Sequence, residues 1–118
     1  MTPEQAQHIA QEWVDVWNSR DLDRILTHYA DPLEFTSPLV VKRLGRDDGT
    51  IRSKAELKDY FAPGITPSLR FELLEAIAGV SSVAIRYRNH RGMTVIEVMR
   101  LNGQGKADRV MVHYSAAV

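Results

Sequence analysis

The C-terminal half of this chain alternates between strand-like apolar runs and short turns, and this pattern strongly restricts the possible folds. Three four-residue stretches of turn composition interrupt it: Gly79–Ser82, Asn89–Gly92 and Asn102–Gly105. The runs between them predict four strands, at about Leu69–Ala78, Val83–Asn89, Met93–Asn102 and Ala107–Ser115. Connections this short join antiparallel neighbours, because a parallel crossover needs a dozen or more residues. The sequence therefore predicts an antiparallel meander.

Two capping boxes mark the starts of helices in the N-terminal half. Thr2 with Gln5 forms the first box, and Ser53 with Glu56 forms the second. Apolar residues follow the first box at helical spacing and include both tryptophans: Ile9, Trp13, Val16 and Trp17. The helix after the second box has an apolar side that contains Leu57, Tyr60 and Phe61. These helices each have one face suited to burial.

The segment between the two capping boxes predicts a short helix, a strand and a hairpin. Asp21 is a helix cap, and the short helix is expected to reach about Tyr29. Leu33–Ser37 alternates as a strand does. After the segment Leu39–Arg43, the stretch Gly45–Thr50 has the composition of a hairpin turn.

Helices first and a meander last predict an α+β fold, with helices packed on one face of a curved, mainly antiparallel sheet. A length of 118 residues suits one domain, covering residues 1–118. The long strands are apolar on both faces, with Ile96 and Val98 on one and Val95 and Met99 on the other. Helices cover only one face, so we expect a homodimer through the outer sheet face. The alternative is a mildly apolar sheet that stays exposed.

Composition argues against several classes of partner. Fifteen basic residues balance fifteen acidic ones, which disfavours nucleic acid and anionic membranes as partners. The chain has no cysteine, and its four histidines show no metal-ligand spacing, so we expect no metal and no cofactor. The polar N-terminus has no signal-peptide pattern, and no run approaches the ~20 apolar residues of a membrane span. The expected location is the cytoplasm.

One charged residue interrupts the apolar pattern of the third predicted strand. Strand alternation puts Glu97 on the same face as Val95, Met99 and Leu101. If that face points inward, the carboxyl group must find a partner or remain protonated. Either state is useful for acid/base chemistry. The alternative is a structural acid that pairs with a buried tyrosine, histidine or arginine.

The order of elements, together with several local passages, resembles a known superfamily. The passages are Trp17–Asp23, His28–Asp31, Phe35–Pro38 and Val95–Leu101 with Gly105–Lys106. They resemble the SnoaL-like and ketosteroid-isomerase-like branch of the nuclear-transport-factor-2-like superfamily. The resemblance implies a cone-shaped (cystatin-like) α+β roll around a pocket. This fold hosts isomerases, cyclases, dehydratases, epoxide hydrolases and proteins without enzymatic activity.

The resemblance can be carried over residue by residue only in part. Glu97 stands where ketosteroid isomerases have an aspartic acid that donates a hydrogen bond to a forming enolate oxygen. Trp13 stands at the position of the second donor, a tyrosine, and Ser37 at that of the aspartate base. Serine does not act unaided as a base at neutral pH. The resemblance therefore disfavours steroid isomerisation, whereas SnoaL-like cyclases use a pocket acid, a role that Glu97 suits.

The resemblance also implies a large cavity, which some of the aromatic residues should line. The candidate ligand contacts are Trp13, Trp17, Tyr29, Phe35, Ser37, Phe61, Tyr87, Met99 and Tyr114. Trp13, Tyr29 and Ser37 lie at or near the pocket positions of the family. The alternative for about half of the aromatic residues is simple core packing.

Two hypotheses for function remain open on the sequence. In the first, the protein binds a small hydrophobic molecule and carries out cofactor-independent acid/base chemistry of the isomerase or cyclase type, with Glu97 as the catalytic residue. In the second, it is a non-catalytic ligand-binding or dimerisation module in which Glu97 is a structural acid. The serine at position 37 favours the second hypothesis, and the acid at position 97 favours the first.

Overall fold

The structure, a computed structural model that describes residues 1–118, is a curved, unclosed six-stranded sheet with helices on its concave face. The helices are Pro3–Asn18 (α1), Leu22–Leu26 (α2), Pro38–Leu44 (α3) and Lys54–Phe61 (α4), and a short 3-10 turn spans Ala62–Gly64. The strands are Tyr29–Thr36 (β1), Thr50–Ile51 (β2), Glu72–Ala78 (β3), Ser82–Arg88 (β4), Thr94–Leu101 (β5) and Ala107–Tyr114 (β6). None of the helices is both long and apolar enough to cross a membrane.

The sheet order is β2-β1-β6-β5-β4-β3, so the predicted meander β3 to β6 is confirmed. Every pair in the meander is antiparallel. The one parallel pair joins β1 to β6, and through it β1 adds to the edge that the last strand of the meander leaves open. The α+β class and the placement of the helices on a curved, mainly antiparallel sheet are confirmed.

Helix α1 covers β3 and β4 with its apolar stripe. It starts at a complete capping box: the Thr2 hydroxyl accepts from the Gln5 N–H, and the Gln5 side chain accepts from the Thr2 N–H. At its other end, the Asn18 side chain accepts from the Phe71 N–H (2.7 Å) and donates to the Phe71 carbonyl (2.9 Å). The helix buries Ala6, Ala10, Trp13, Val14, Val16 and Trp17.

The predicted hairpin after β1 is wrong, because Pro38–Leu44 forms helix α3 instead. Ser37 caps this helix by accepting from the Leu39 N–H (3.2 Å), and Pro38 occupies the first turn. Gly45 ends it in the left-handed conformation (φ 66°). After this helix, only the two residues of β2 pair with β1. The β-branched residues of the segment indicated a strand, but its capping residues determine a helix.

The boundary between the second helix and the first strand also differs from the prediction. Helix α2 ends at Leu26, and Tyr29 already belongs to β1. Pro32 lies within this strand, in the interval between Tyr29 and Glu34 where the pairing with β6 is irregular. Proline is tolerated there because no regular ladder bond requires its missing N–H.

Candidate functional site

A pocket of about 820 Å³ opens between the helices and the concave face of the sheet. Its wall combines aromatic and aliphatic side chains with a few polar groups, as in many sites for small molecules. The aromatic and acidic members of this wall are Trp17, Phe35, Tyr60, Phe61, Phe71, Tyr87, Glu97 and Tyr114. Helix α3 contributes Leu39, Lys42 and Arg43, and the turn between β4 and β5 contributes Asn89, His90 and Arg91.

Glu97 is the only acidic side chain that lines this pocket. It lies on β5 between Ile85 of β4 and Val112 of β6, and it is 5% exposed. The Tyr87 hydroxyl donates a hydrogen bond to its Oε2 at 2.5 Å. Burial raises the pKa of Glu97 to about 7, and the bond from Tyr87 lowers it by a smaller amount. The carboxyl group therefore exchanges its proton close to neutral pH.

Three tyrosines that line the pocket remain protonated at neutral pH. Burial and, to a smaller extent, the nearby Glu97 charge raise the pKa of Tyr114 to about 12. The same two causes raise the pKa of Tyr87 well above its usual value. Burial also raises the pKa of Tyr60. Phenols in this state act as hydrogen-bond donors and not as bases. Among the titratable groups of the wall whose pKa is shifted, only Glu97 changes protonation near neutral pH.

Aromatic rings in edge-on and tilted contact form the apolar part of the wall. The Trp17 and Phe61 ring centroids lie 4.8 Å apart in an edge-on arrangement, and Phe35 meets Phe61 in the same way at 5.4 Å. Phe71 lies 5.4 Å from Trp17 and 4.5 Å from Tyr87. Such pairs prefer edge-on or offset contacts, which hold each ring in place. The result is a preformed apolar surface that leads to the carboxyl group.

The structure brings six of the ten sequence-predicted site residues to the pocket wall. They are Trp17, Phe35, Phe61, Tyr87, Glu97 and Tyr114. The other four, Trp13, Tyr29, Ser37 and Met99, lie outside this lining and are each at most 2% exposed. Trp13 and Tyr29 bond to each other, since the Trp13 Nε1–H donates to the Tyr29 hydroxyl at 3.3 Å. The side chain of Ser37 is used as the cap of α3.

Several wall residues were missed because they belong to α3 or to loops. Leu39, Lys42 and Arg43 reach the pocket only because their segment is helical. The Ser-Pro pair at positions 37 and 38 is a helix-start signal that would have identified this segment. Phe71 lies just before β3, where its position depends on the bonds from Asn18.

The arrangement of groups supports proton transfer and binding of an apolar molecule. Glu97 can donate a proton when neutral and accept one when ionised. The cap role of Ser37 leaves its hydroxyl bound to the Leu39 N–H, so it offers no base. No group of three or more histidine, aspartate or glutamate side chains is arranged to hold a metal ion.

Comparison with known sequences identifies the family. The sequence profile of the SnoaL-like domain matches residues 10–116, which is most of the chain. The chain belongs to the SnoaL-like family. A solved structure of a SnoaL-like protein of unknown function from Burkholderia thailandensis supports this, with 37% identity, 98% coverage of both chains and a TM-score of 0.92. The resemblance predicted from the sequence is thereby confirmed.

More distant structures share the fold of this SnoaL-like protein. One of them is SalBIII, an epoxide hydrolase/cyclase-like enzyme with a role in pyran ring formation in the polyether salinomycin. Its sequence is 20% identical and its TM-score is 0.72, and the match covers 95% of this chain and 92% of SalBIII. A protein from Kribbella flavida, provisionally named a ketosteroid isomerase, is 16% identical with a TM-score of 0.75, covering 98% of this chain and 82% of the other. No curated protein matches the sequence.

Proposed function

We propose that this SnoaL-like protein binds a small, mainly apolar molecule in the aromatic pocket and that Glu97 transfers a proton to or from it. The observation that carries this proposal is the single buried carboxyl group in the wall of a pocket of about 820 Å³. A pocket with a few convergent polar groups and a group of shifted pKa is typical of an active site. The SalBIII-like and isomerase-like relatives of the same fold favour cyclase or isomerase chemistry.

The proposed step uses Glu97 as a proton donor to an oxygen of the bound molecule. The neutral carboxyl group gives its proton to that oxygen as negative charge develops there. The carboxylate that remains takes a proton from the same molecule, which restores the neutral acid. Tyr87 donates to the Oε2 atom of Glu97 and so stabilises the carboxylate between the two transfers. No cofactor enters this step.

Ligand binding is tested by thermal-shift measurements against steroids, aromatic polyketides and phenolic carboxylates. A ligand at ~100 times its Kd should stabilise the folded state by about 2.7 kcal/mol and raise the unfolding midpoint clearly. Leu39→Trp places a large ring in the wall of the pocket and should abolish the shift. Val80→Trp, in the exposed turn between β3 and β4, is the matched control that should retain it.

The second candidate is a non-catalytic pocket in which Glu97 only shapes the interior. The short bond to Tyr87 favours it, because a structural acid would be held in the same way. The two candidate functions are distinguished by following the chemical conversion of the same ligands over time. Conversion that disappears in Glu97→Gln while binding remains supports proton transfer by Glu97. Binding without conversion in either protein supports the non-catalytic pocket.

We further propose that a second copy of the chain covers the outer face of the sheet. One row of paired residues on this face carries no charge: Ile77, Ala84, Val98 and Met111 on β3 to β6. Ile77 is 56% exposed and Met111 36%. Arginine–carboxylate pairs such as Arg86–Glu75 and Arg100–Asp108 flank this apolar row. An apolar row with a charged border is typical of a protein interface.

Substitution of Val98 by lysine should separate the two copies. A buried, unpaired ammonium group in the middle of the row strongly disfavours association. Light scattering at micromolar protein should give twice the chain mass for the wild type and one chain mass for Val98→Lys. Gln104→Lys, in the exposed turn between β5 and β6, controls for the added charge. A wild type of one chain mass would contradict the dimer.

A further inference from the structure

Three cationic side chains lie at the mouth of the pocket. Lys42 and Arg43 come from α3, and Arg91 comes from the turn between β4 and β5. All three are exposed, whereas Glu97, the only acidic side chain among the lining residues, is buried. The whole chain has fifteen basic and fifteen acidic residues. The mouth therefore concentrates positive charge on a protein that has no net charge.

The mouth cations differ from the arginines of the sheet in having no carboxylate partner. Each arginine of β4, β5 and β6 forms an ion pair: Arg86–Glu75, Arg88–Glu72, Arg100–Asp108 and Arg109–Glu34. No carboxylate pairs with Lys42, Arg43 or Arg91, and this includes the main-chain carboxylate of Val118, which also lines the pocket. Because no carboxylate neutralises these three charges, they can pair with an anion from outside.

Two of the elements at the mouth are held in place by contacts of their own. The Arg43 guanidinium lies 4.5 Å from the centre of the Tyr60 ring, and its Nη2 donates to the Tyr60 carbonyl at 3.2 Å. In the turn, Asn89 Oδ1 accepts from the N–H groups of Arg91 and Met93, both at 3.0 Å. The Arg43 side chain and the backbone that carries Arg91 are thus held in place before binding, which reduces the entropy lost when a ligand binds.

Helix stability explains only part of this cluster. Lys42 and Arg43 lie in the last turn of α3, where cations interact favourably with the helix dipole. Arg91 belongs to a turn and has no such role. Two separate elements therefore bring unpaired cations to the same opening, above an apolar wall that ends at Glu97.

We propose that the molecule bound in the pocket is an acid, with an apolar body against the aromatic wall and a carboxylate at the mouth near Lys42, Arg43 and Arg91. This inference rests on the proposed function, since it names the class of molecule that the pocket takes. The carboxylate stays in the partly hydrated opening, so its desolvation remains small. The apolar body then extends towards Glu97, where the acid/base chemistry takes place.

A matched pair of fluorescent ligands, 1-pyrenebutanoate and 1-pyrenebutanamide, tests this inference. The two share an apolar body and differ in charge. Wild-type protein should bind the acid more tightly than the amide, and added salt should reduce this preference. Lys42→Gln/Arg91→Gln should weaken binding of the acid about fivefold or more, because exposed ion pairs each contribute modestly. Binding of the amide should not change.

A second double variant controls for the loss of two positive charges. Lys54→Gln/Arg24→Gln removes one lysine and one arginine that do not line the pocket, and it should bind both ligands as the wild type does. Equal binding of acid and amide by the wild type would overturn the acidic-ligand inference and leave the apolar pocket in place. Binding of neither ligand would overturn both this inference and the proposed function.

Discussion

Trp13→Ala is expected to destabilise the protein by about 3–5 kcal/mol, as for other buried aromatic residues that are truncated. Trp13 is 2% exposed and lies between Trp17, Phe71 and Tyr87, with ring-centroid distances of 6.0, 5.7 and 5.2 Å. Its removal leaves a cavity beneath the pocket wall. Urea unfolding should show a lower midpoint. Because domains are stable by only about 5–15 kcal/mol, the variant should be close to unfolding at room temperature.

Trp13→Phe distinguishes the contribution of the aromatic ring to stability from that of its hydrogen bond. This variant keeps an aromatic ring but removes the indole N–H that donates to the Tyr29 hydroxyl. We expect a loss of about 1–2 kcal/mol from the missing bond and the smaller ring. Because Trp13 lies behind the wall, ligand affinity should stay unchanged. A large loss of affinity with little loss of stability would show that Trp13 contacts the ligand after all.

The position of Trp13 shows what the sequence could and could not predict about the fold. Its helical spacing correctly predicted burial on the stripe of α1, and the short turns correctly predicted the meander. Both signals are local, because capping, periodicity and turn length act over a few residues. Helix α3 was missed because Val40 and Val41 favour a strand, whereas in the structure the segment starts a helix at the cap Ser37.

The pocket was harder to predict than the fold, because alternation gives the face of a residue but not its distance from the cavity. Glu97 and Met99 share a face of β5, yet only Glu97 lines the pocket. Trp13 and Trp17 share a stripe of α1, yet only Trp17 does. The position of each residue along its strand or helix decides these differences, and where the pocket lies along those elements depends on the packing of distant segments. The packing of distant segments likewise brings together the cationic side chains of α3 and of the β4–β5 turn.

The stability of the wild type is expected to fall between pH 4.5 and about 7 relative to that of Glu97→Gln. The pKa of Glu97 rises from 4.5 to about 7 because burial disfavours the carboxylate. Below pH 4.5 the folded and unfolded states are both protonated, so the acid does not penalise folding. As the pH rises to about 7, only the unfolded state has lost its proton, and folding becomes less favourable. Above that pH the penalty is constant.

This pKa interval corresponds to about 3 kcal/mol of unfolding free energy. This amount should appear as a change in the difference in unfolding free energy between wild type and Glu97→Gln when urea unfolding is measured at about pH 4 and about pH 8. The double difference removes contributions that both proteins share, such as the lowered pKa values of Asp48 and Glu56 beside their arginine partners. Asp47→Asn, which removes an exposed carboxylate that forms no ion pair, shows the effect of losing a negative charge alone.

The result also bears on chemistry, because proton uptake at Glu97 is the property that a proton donor needs. Glutamine keeps the acceptor for the Tyr87 hydroxyl but cannot ionise, so it removes the titration and preserves the packing. A difference between the two proteins that stays constant with pH would mean that water or a partner already stabilises the carboxylate in the pocket. Glu97 would then be an ordinary ionised acid, and proton donation at neutral pH would lose its physical basis.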